Sequence, residues 1–171
     1  MRTALMAAGA VTGLLAGLLA ASPASAEPRT QYYFTGAGVI TWENKTAACP
    51  GSRQWFETRD AYGELIGYTN SNGGHACVEV TYAVKTLRQM CHFYFYVPRG
   101  HATGSIKFKF DQGRYGTSGM TLDEGPREGW HYLMGATNVN SITFTDANDE
   151  TGTQIGWGML RENGIKQACP V

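Results

Sequence analysis

The segment "MCHFYFYVPRG" (residues 90–100) decides the fold, because it sets five ring-bearing residues, His92 to Tyr96, side by side. Alternate residues of a strand face opposite ways. One face then carries Cys91, Phe93, Phe95 and Val97, which is a core face. The other carries His92, Tyr94 and Tyr96. An antiparallel strand that wets one face shows clean apolar–polar alternation, and this one does not. Either it is buried on both sides or its second face is a surface with a use.

Moving outward, the neighbouring segments alternate in the ordinary way. "CVEVTYAV" (residues 77–84) puts Val78, Val80, Tyr82 and Val84 on one face and Glu79 and Thr81 on the other. "SIKFKF" (105–110) turns Ile106, Phe108 and Phe110 inward and Lys107 and Lys109 outward. "VNSITFT" and "QIGWGML" continue the series, Ile155, Trp157 and Met159 alternating with Gly156 and Gly158. Between them stand turn-rich stretches such as "TNSNGGH", "VPRGHATG", "DQGRYG", "DEGPREG" and "DANDETG". Only "KTLRQM" (85–90) suggests a helical turn. Short strands at this spacing predict an all-β, antiparallel β-sandwich. The register of residues 31–68 is not readable from the pattern.

The first 26 residues have the layout of a cleavable secretory signal peptide: Met1-Arg2, the apolar "ALMAAGAVTGLLAGLLAA", then "ASA" before Glu27. Residues 27–171 are expected to form a single β-sandwich domain, secreted, extracellular and free of the membrane after cleavage. Losing Arg2 takes the 14 basic residues to 13 against 14 acidic ones, which offers no steering field for nucleic acid. Four cysteines in an exported chain predict two disulfides. Three pairings exist, and the expected one is Cys77–Cys91 with Cys49–Cys169.

The search for reaction chemistry yields little. There is no G-x-S-x-G motif and no H-E-x-x-H motif. The histidines, His75, His92, His101 and His131, are scattered, and each reads as a partly exposed ring satisfied by a neighbour. Asp123, Glu124 and Glu128 in "TLDEGPREGW" are candidates for a glycosidase-like carboxylate pair. Their turn-rich context reads first as a solvated loop. Asp146, Asn148, Asp149 and Glu150 form a weak calcium candidate, with an acidic β-turn as the plainer reading.

The aromatic content is the remaining signal: four Trp, nine Tyr and seven Phe. Trp and Tyr combine an apolar face with a polar edge and suit binding surfaces. Trp42, Trp55, Tyr94, Tyr96, Trp130 and Tyr132 are candidate platforms for sugar rings. Core burial is the competing reading for each, and for Trp130 and Trp157 the stronger one.

The segments "CHFYFYVPRGHATGSIKFKF" and "DEGPREGWHYLMGATNVNSITFTDANDETGTQIGWG" resemble the golvesin C-terminal-like domain of secreted bacterial proteins. That family shows an aromatic strand ending in Pro, a G-x-W-x-x-L-G strand and a V-x-L-x-D strand. Residues 94–98, 129–135 and 142–146 occupy those places, and the resemblance spans about residues 75–160. It implies a jelly roll of the galactose-binding type, an architecture shared by carbohydrate-binding modules. The family's closing A-D-A is replaced here by "QIGWG", and the four cysteines are not a family requirement.

The expected function is therefore a non-catalytic, monomeric protein that binds extracellular glycan or cell-wall polysaccharide. The alternative is an exported protein-binding module such as a protease inhibitor, presenting Arg99 from the stiff "VPRGHATG" loop. A small hydrolase built on Asp123, Glu124 and Glu128 is the third reading.

Overall fold

A computed structural model describes residues 30–35, 38–43, 49, 54–72, 75–146 and 151–171. The signal-peptide segment lies outside the described residues, as do Asn148, Asp149 and Glu150 and the side chain of Trp42. Among the described residues there are twelve strands and two short 3-10 turns, at Gly113–Tyr115 and Arg161–Asn163. In chain order the strands are β1 (Thr30–Phe34), β2 (Val39–Glu43), β3 (Trp55–Arg59), β4 (Leu65–Asn72), β5 (Val78–Ala83) and β6 (Cys91–Val97). Then follow β7 (Ser105–Asp111), β8 (Thr117–Asp123), β9 (Gly129–Ala136), β10 (Ser141–Thr145), β11 (Thr151–Gly158) and β12 (Ile165–Pro170). The "KTLRQM" segment is a crossover without helix.

All strand pairs are antiparallel. One sheet runs β2-β5-β10-β7-β8, a second runs β1-β12-β6-β9, and a third runs β11-β4-β3. The chain steps repeatedly from one layer to the other, β5 to β6, β6 to β7, β8 to β9 and β9 to β10, which makes the sandwich a jelly roll. The inner faces meet through the alternating residues of the sequence. Phe95 of β6 packs on Phe108 of β7 and Phe144 of β10, with ring centroids 5.0 and 5.9 Å apart. Phe93 packs edge-on against Phe110 at 5.8 Å. The third sheet extends the same core, since Trp157 of β11 lies 5.4 Å from Phe144. Phe93, Phe95, Phe110, Phe144, Tyr82 and Trp157 are all fully buried. Each such ring contributes on the order of 2–3 kcal/mol by leaving water.

The disulfides are Cys49–Cys77 and Cys91–Cys169, which corrects the expected pairing of Cys77 with Cys91 and Cys49 with Cys169. The reason is topological. Cys77 precedes β5, and the chain traverses that whole strand and a crossover before reaching Cys91. The end of β5 pairs at Ala83 with Ser141, while Cys91 pairs with Ala136 just before the same connection. Cys77 and Cys91 therefore sit at opposite ends of the sandwich. Cys91 instead lies beside Cys169 on the neighbouring strand β12, Cα atoms 4.4 Å apart. Two bridges place the chain in an oxidising environment. Among the described residues, no helix is long and apolar enough to cross a membrane.

Candidate aromatic binding face

The outer face of the β1-β12-β6-β9 sheet answers the question raised by residues 92–96. Its register brings Phe34, Lys166, Tyr94 and Tyr132 opposite one another across all four strands. The adjacent rung holds Tyr32, Ala168, His92 and Gly135, and Tyr96 stands opposite Trp130 on the other side. A β-bulge in β9 makes this possible. Between Phe93–Met134 and Tyr94–Tyr132 the register shifts, so Leu133 is an extra residue and is buried. A one-residue slip otherwise exchanges the two faces of a strand. The bulge lets Trp130 and Tyr132 point out with Tyr94 while Ala136 still points in.

The rings form a connected but corrugated surface. Tyr32, Phe34 and Tyr132 are 57%, 40% and 50% exposed. Tyr94, Tyr96 and Trp130 are half-buried by their neighbours. Phe34–Trp130, Tyr96–Trp130 and Tyr94–Tyr132 meet edge to face, at 63°, 68° and 66°. His92 leans on Tyr132 at 49° with centroids 5.7 Å apart. Such a ridge offers successive ring faces and edges rather than one flat strip, and suits a single threaded chain better than a crystalline polymer surface.

At the centre stands Lys166. Its Nζ lies 4.7 Å from the Trp130 ring, 4.8 Å from Tyr94 and 6.0 Å from Tyr32. Desolvation under these rings lowers the pKa of the ammonium. Tyr96 marks the far end. Burial, followed by the charge of Asp60 and the hydrogen bond its hydroxyl donates to Asp60 Oδ2, pushes that phenol up to about 12.

Of the sequence candidates, Tyr94, Tyr96, Trp130 and Tyr132 are thus brought together on one surface. Trp130 lies on this outer face rather than in the core, which had been the stronger reading for it. Trp55 is elsewhere: it is half-buried in β3, packed against the core with its ring 6.4 Å from Trp157, and it forms no part of this face. Tyr32, Phe34 and Lys166 were missed by sequence reasoning. Their alternation within "TQYYF" and "IKQACP" was a usable signal, but nothing local tells that the two segments pair.

Arg99 is exposed, yet its guanidinium pairs with Glu128 at 3.4 Å and lies over the Tyr62 ring, whose hydroxyl also donates to Glu128 at 3.1 Å. The loop around it is stitched down rather than protruding. Ala61 N–H donates to Arg99 O, Thr103 N–H donates to Gln154 O, and Pro98 and Ala102 are buried. His101 stacks on Tyr68 with centroids 4.2 Å apart, and His131 bonds the Glu128 carbonyl at 3.0 Å.

The carboxylates do not converge on a common cleft. Asp123 accepts the Gly125 N–H at the surface, and Glu128 is held by Arg99. Glu124 is not in a solvated loop as its neighbours suggested; it is fully buried and accepts the Gly156 N–H at 3.1 Å. Burial pushes its pKa well above the ordinary value, against the smaller lowering by that hydrogen bond. The calcium candidate Asp146 is likewise buried. Its Oδ1 accepts the N–H groups of Cys77 and Val78, at 2.7 and 3.1 Å, and burial raises its pKa. Among the described residues, no cluster of three acidic, His or Cys groups is placed to hold a metal.

A second surface feature is an open polar cleft of about 630 Å³ at the end of the sandwich, lined by Thr86, Arg88, Gln112, Arg114, Tyr115 and Asn140 among others. No protein-family model matches this chain, and no curated protein is significantly similar to it.

Proposed function

We propose that this chain is an exported, non-catalytic protein that binds extracellular glycan through the outer face of the β1-β12-β6-β9 sheet. The observation that carries this reading is the convergence of Tyr32, Phe34, Tyr94, Tyr96, Trp130 and Tyr132 on four adjacent strands. Exposed aromatic patches of this kind are not needed for a core and mark interaction surfaces. Sugar C–H faces pack on such rings, and the phenol, indole and ammonium groups supply hydrogen bonds to hydroxyls. The signal-peptide pattern and the two disulfides support secretion. The resemblance to the golvesin C-terminal-like domain supports the same class, since its architecture is that of carbohydrate-binding modules.

The inhibitor reading draws little from the loop proposed for it, because Arg99 is engaged by Glu128 and Tyr62. The hydrolase reading draws none from Glu124, which faces the interior.

Pull-downs with soluble and insoluble polysaccharides, joined to tryptophan-fluorescence titration, test the proposal. Binding should alter the emission of Trp130, and the change should vanish in Trp130→Phe while Trp157 reports an intact core. Absence of binding across a broad panel of cell-wall and extracellular polysaccharides would overturn it.

A further inference from the structure

Resting on the glycan reading of the aromatic face, we infer that the ligand is an acidic polysaccharide and that Lys166 is the residue that selects its anionic group. Lys166 is the only side chain on the central rung that is not a ring, and it lies between Phe34 and Tyr94 in the register. Three rings surround its ammonium, yet none of them is a strong hydrogen-bond acceptor. Among the described residues no carboxylate pairs with it.

Arg99, by contrast, stands beyond the end of the same sheet with Glu128 at 3.4 Å. Among the described residues, the face therefore holds one partly desolvated cation, and its three N–H donors lack an ionic partner there. Rings weaken its hydration without neutralising it, which strengthens any charge-assisted bond a ligand can bring. A hydroxyl would accept from it, but a carboxylate or sulfate gains a full charge pair in an environment poorer in water than bulk.

The aromatic ring faces alone would disfavour an anion, since their π quadrupoles are negative. Lys166 reverses that local sign. A uronate chain fits both features, pressing its ring C–H faces on Tyr94 and Trp130 while its carboxylate reaches the ammonium. The low net charge of the protein makes this a local selection rather than a long-range attraction.

The test compares each acidic polymer with its own methyl ester, which keeps the ring and removes the charge. Oligomers of polygalacturonate, alginate and hyaluronan, and their esters, are titrated by calorimetry against wild type, Lys166→Gln and Lys166→Arg. Thermal unfolding checks that each variant is folded. At least one acid should bind wild type about ten-fold or more tightly than its ester, a difference of ~1.4 kcal/mol. Lys166→Gln should erase that preference, so that acid and ester bind alike, and Lys166→Arg should restore most of it.

Equal affinity of acids and esters overturns the inference and leaves the glycan reading standing. A preference that survives in Lys166→Gln but disappears in Arg88→Gln/Arg114→Gln also overturns it, moving the anion to the polar cleft. Binding of neither form, alongside failure of neutral polysaccharides, removes the glycan reading itself.

Discussion

At the scale of single residues, Glu124 shows how strongly position outweighs local composition. In "TLDEGPREGW" it stands among turn formers, yet its carboxyl is buried and bonded to Gly156. Its second oxygen has no hydrogen-bond partner. Such a group is better tolerated protonated. The sign of its effect follows from linkage: above its ordinary value near 4.5, the unfolded chain releases a proton that the folded chain retains. Stability contributed by the neutral form is thus fully present below that value and declines as pH rises toward the raised folded pKa. Asp146 acts in the same direction, so one substitution reduces the slope without abolishing it. Glu124→Gln should match wild type in melting temperature near pH 4 and exceed it by about 3 °C or more at pH 8. Scanning calorimetry across that range decides it; a variant less stable at pH 8 would show that the carboxylate is accommodated as an anion. No periodicity argument could have found this burial, because it depends on β11 passing beneath the turn.

Among the elements, what the sequence revealed and what it hid divide by range of contact. The faces of β5, β7 and β11 were legible because alternation is a local property: Val78, Val80, Ile106, Phe108, Phe110, Ile155 and Trp157 are all buried as their spacing required. The double-sided character of β6 was legible too, and its second face is a half-exposed surface. The placement of β1 was not legible. Tyr32 and Phe34 acquire meaning only beside β12, which lies more than a hundred residues along the chain. The disulfide pairing failed for the same reason, since it depends on which strands are neighbours.

The Cys91–Cys169 bridge holds β12 to β6, and among the described strands β1 pairs only with β12. Both strands contribute to the aromatic face. Cys91→Ala/Cys169→Ala should lower stability by about 4 kcal/mol, as expected for closing a long loop, and weaken glycan binding with it. Cys49→Ala/Cys77→Ala, which removes the bridge that closes a shorter loop on the opposite layer, should cost about 3.5 kcal/mol and leave affinity unchanged below its unfolding transition. Urea denaturation with parallel binding curves separates the two effects. Equal loss of binding in both variants would mean that the bridges act only through global stability.

For the whole molecule, the two sides of one sheet differ in burial. The inner side of β1-β12-β6-β9 contributes Phe93, Phe95 and Ile165 to the core, all nearly inaccessible. The outer side carries rings in excess of what packing needs. Truncating a core ring such as Phe95 would be expected to cost about 3–5 kcal/mol, whereas truncating an outer ring should leave the fold nearly as stable as before. Tyr94 and Tyr132, which meet edge to face across β6 and β9, are the most direct probe of that division. The decisive measurement is a polysaccharide-binding titration of Tyr94→Ala/Tyr132→Ala beside its thermal unfolding curve. The account predicts that affinity falls at least about a hundred-fold while the melting temperature drops by no more than about 4 °C. Unchanged affinity in the folded variant would contradict it.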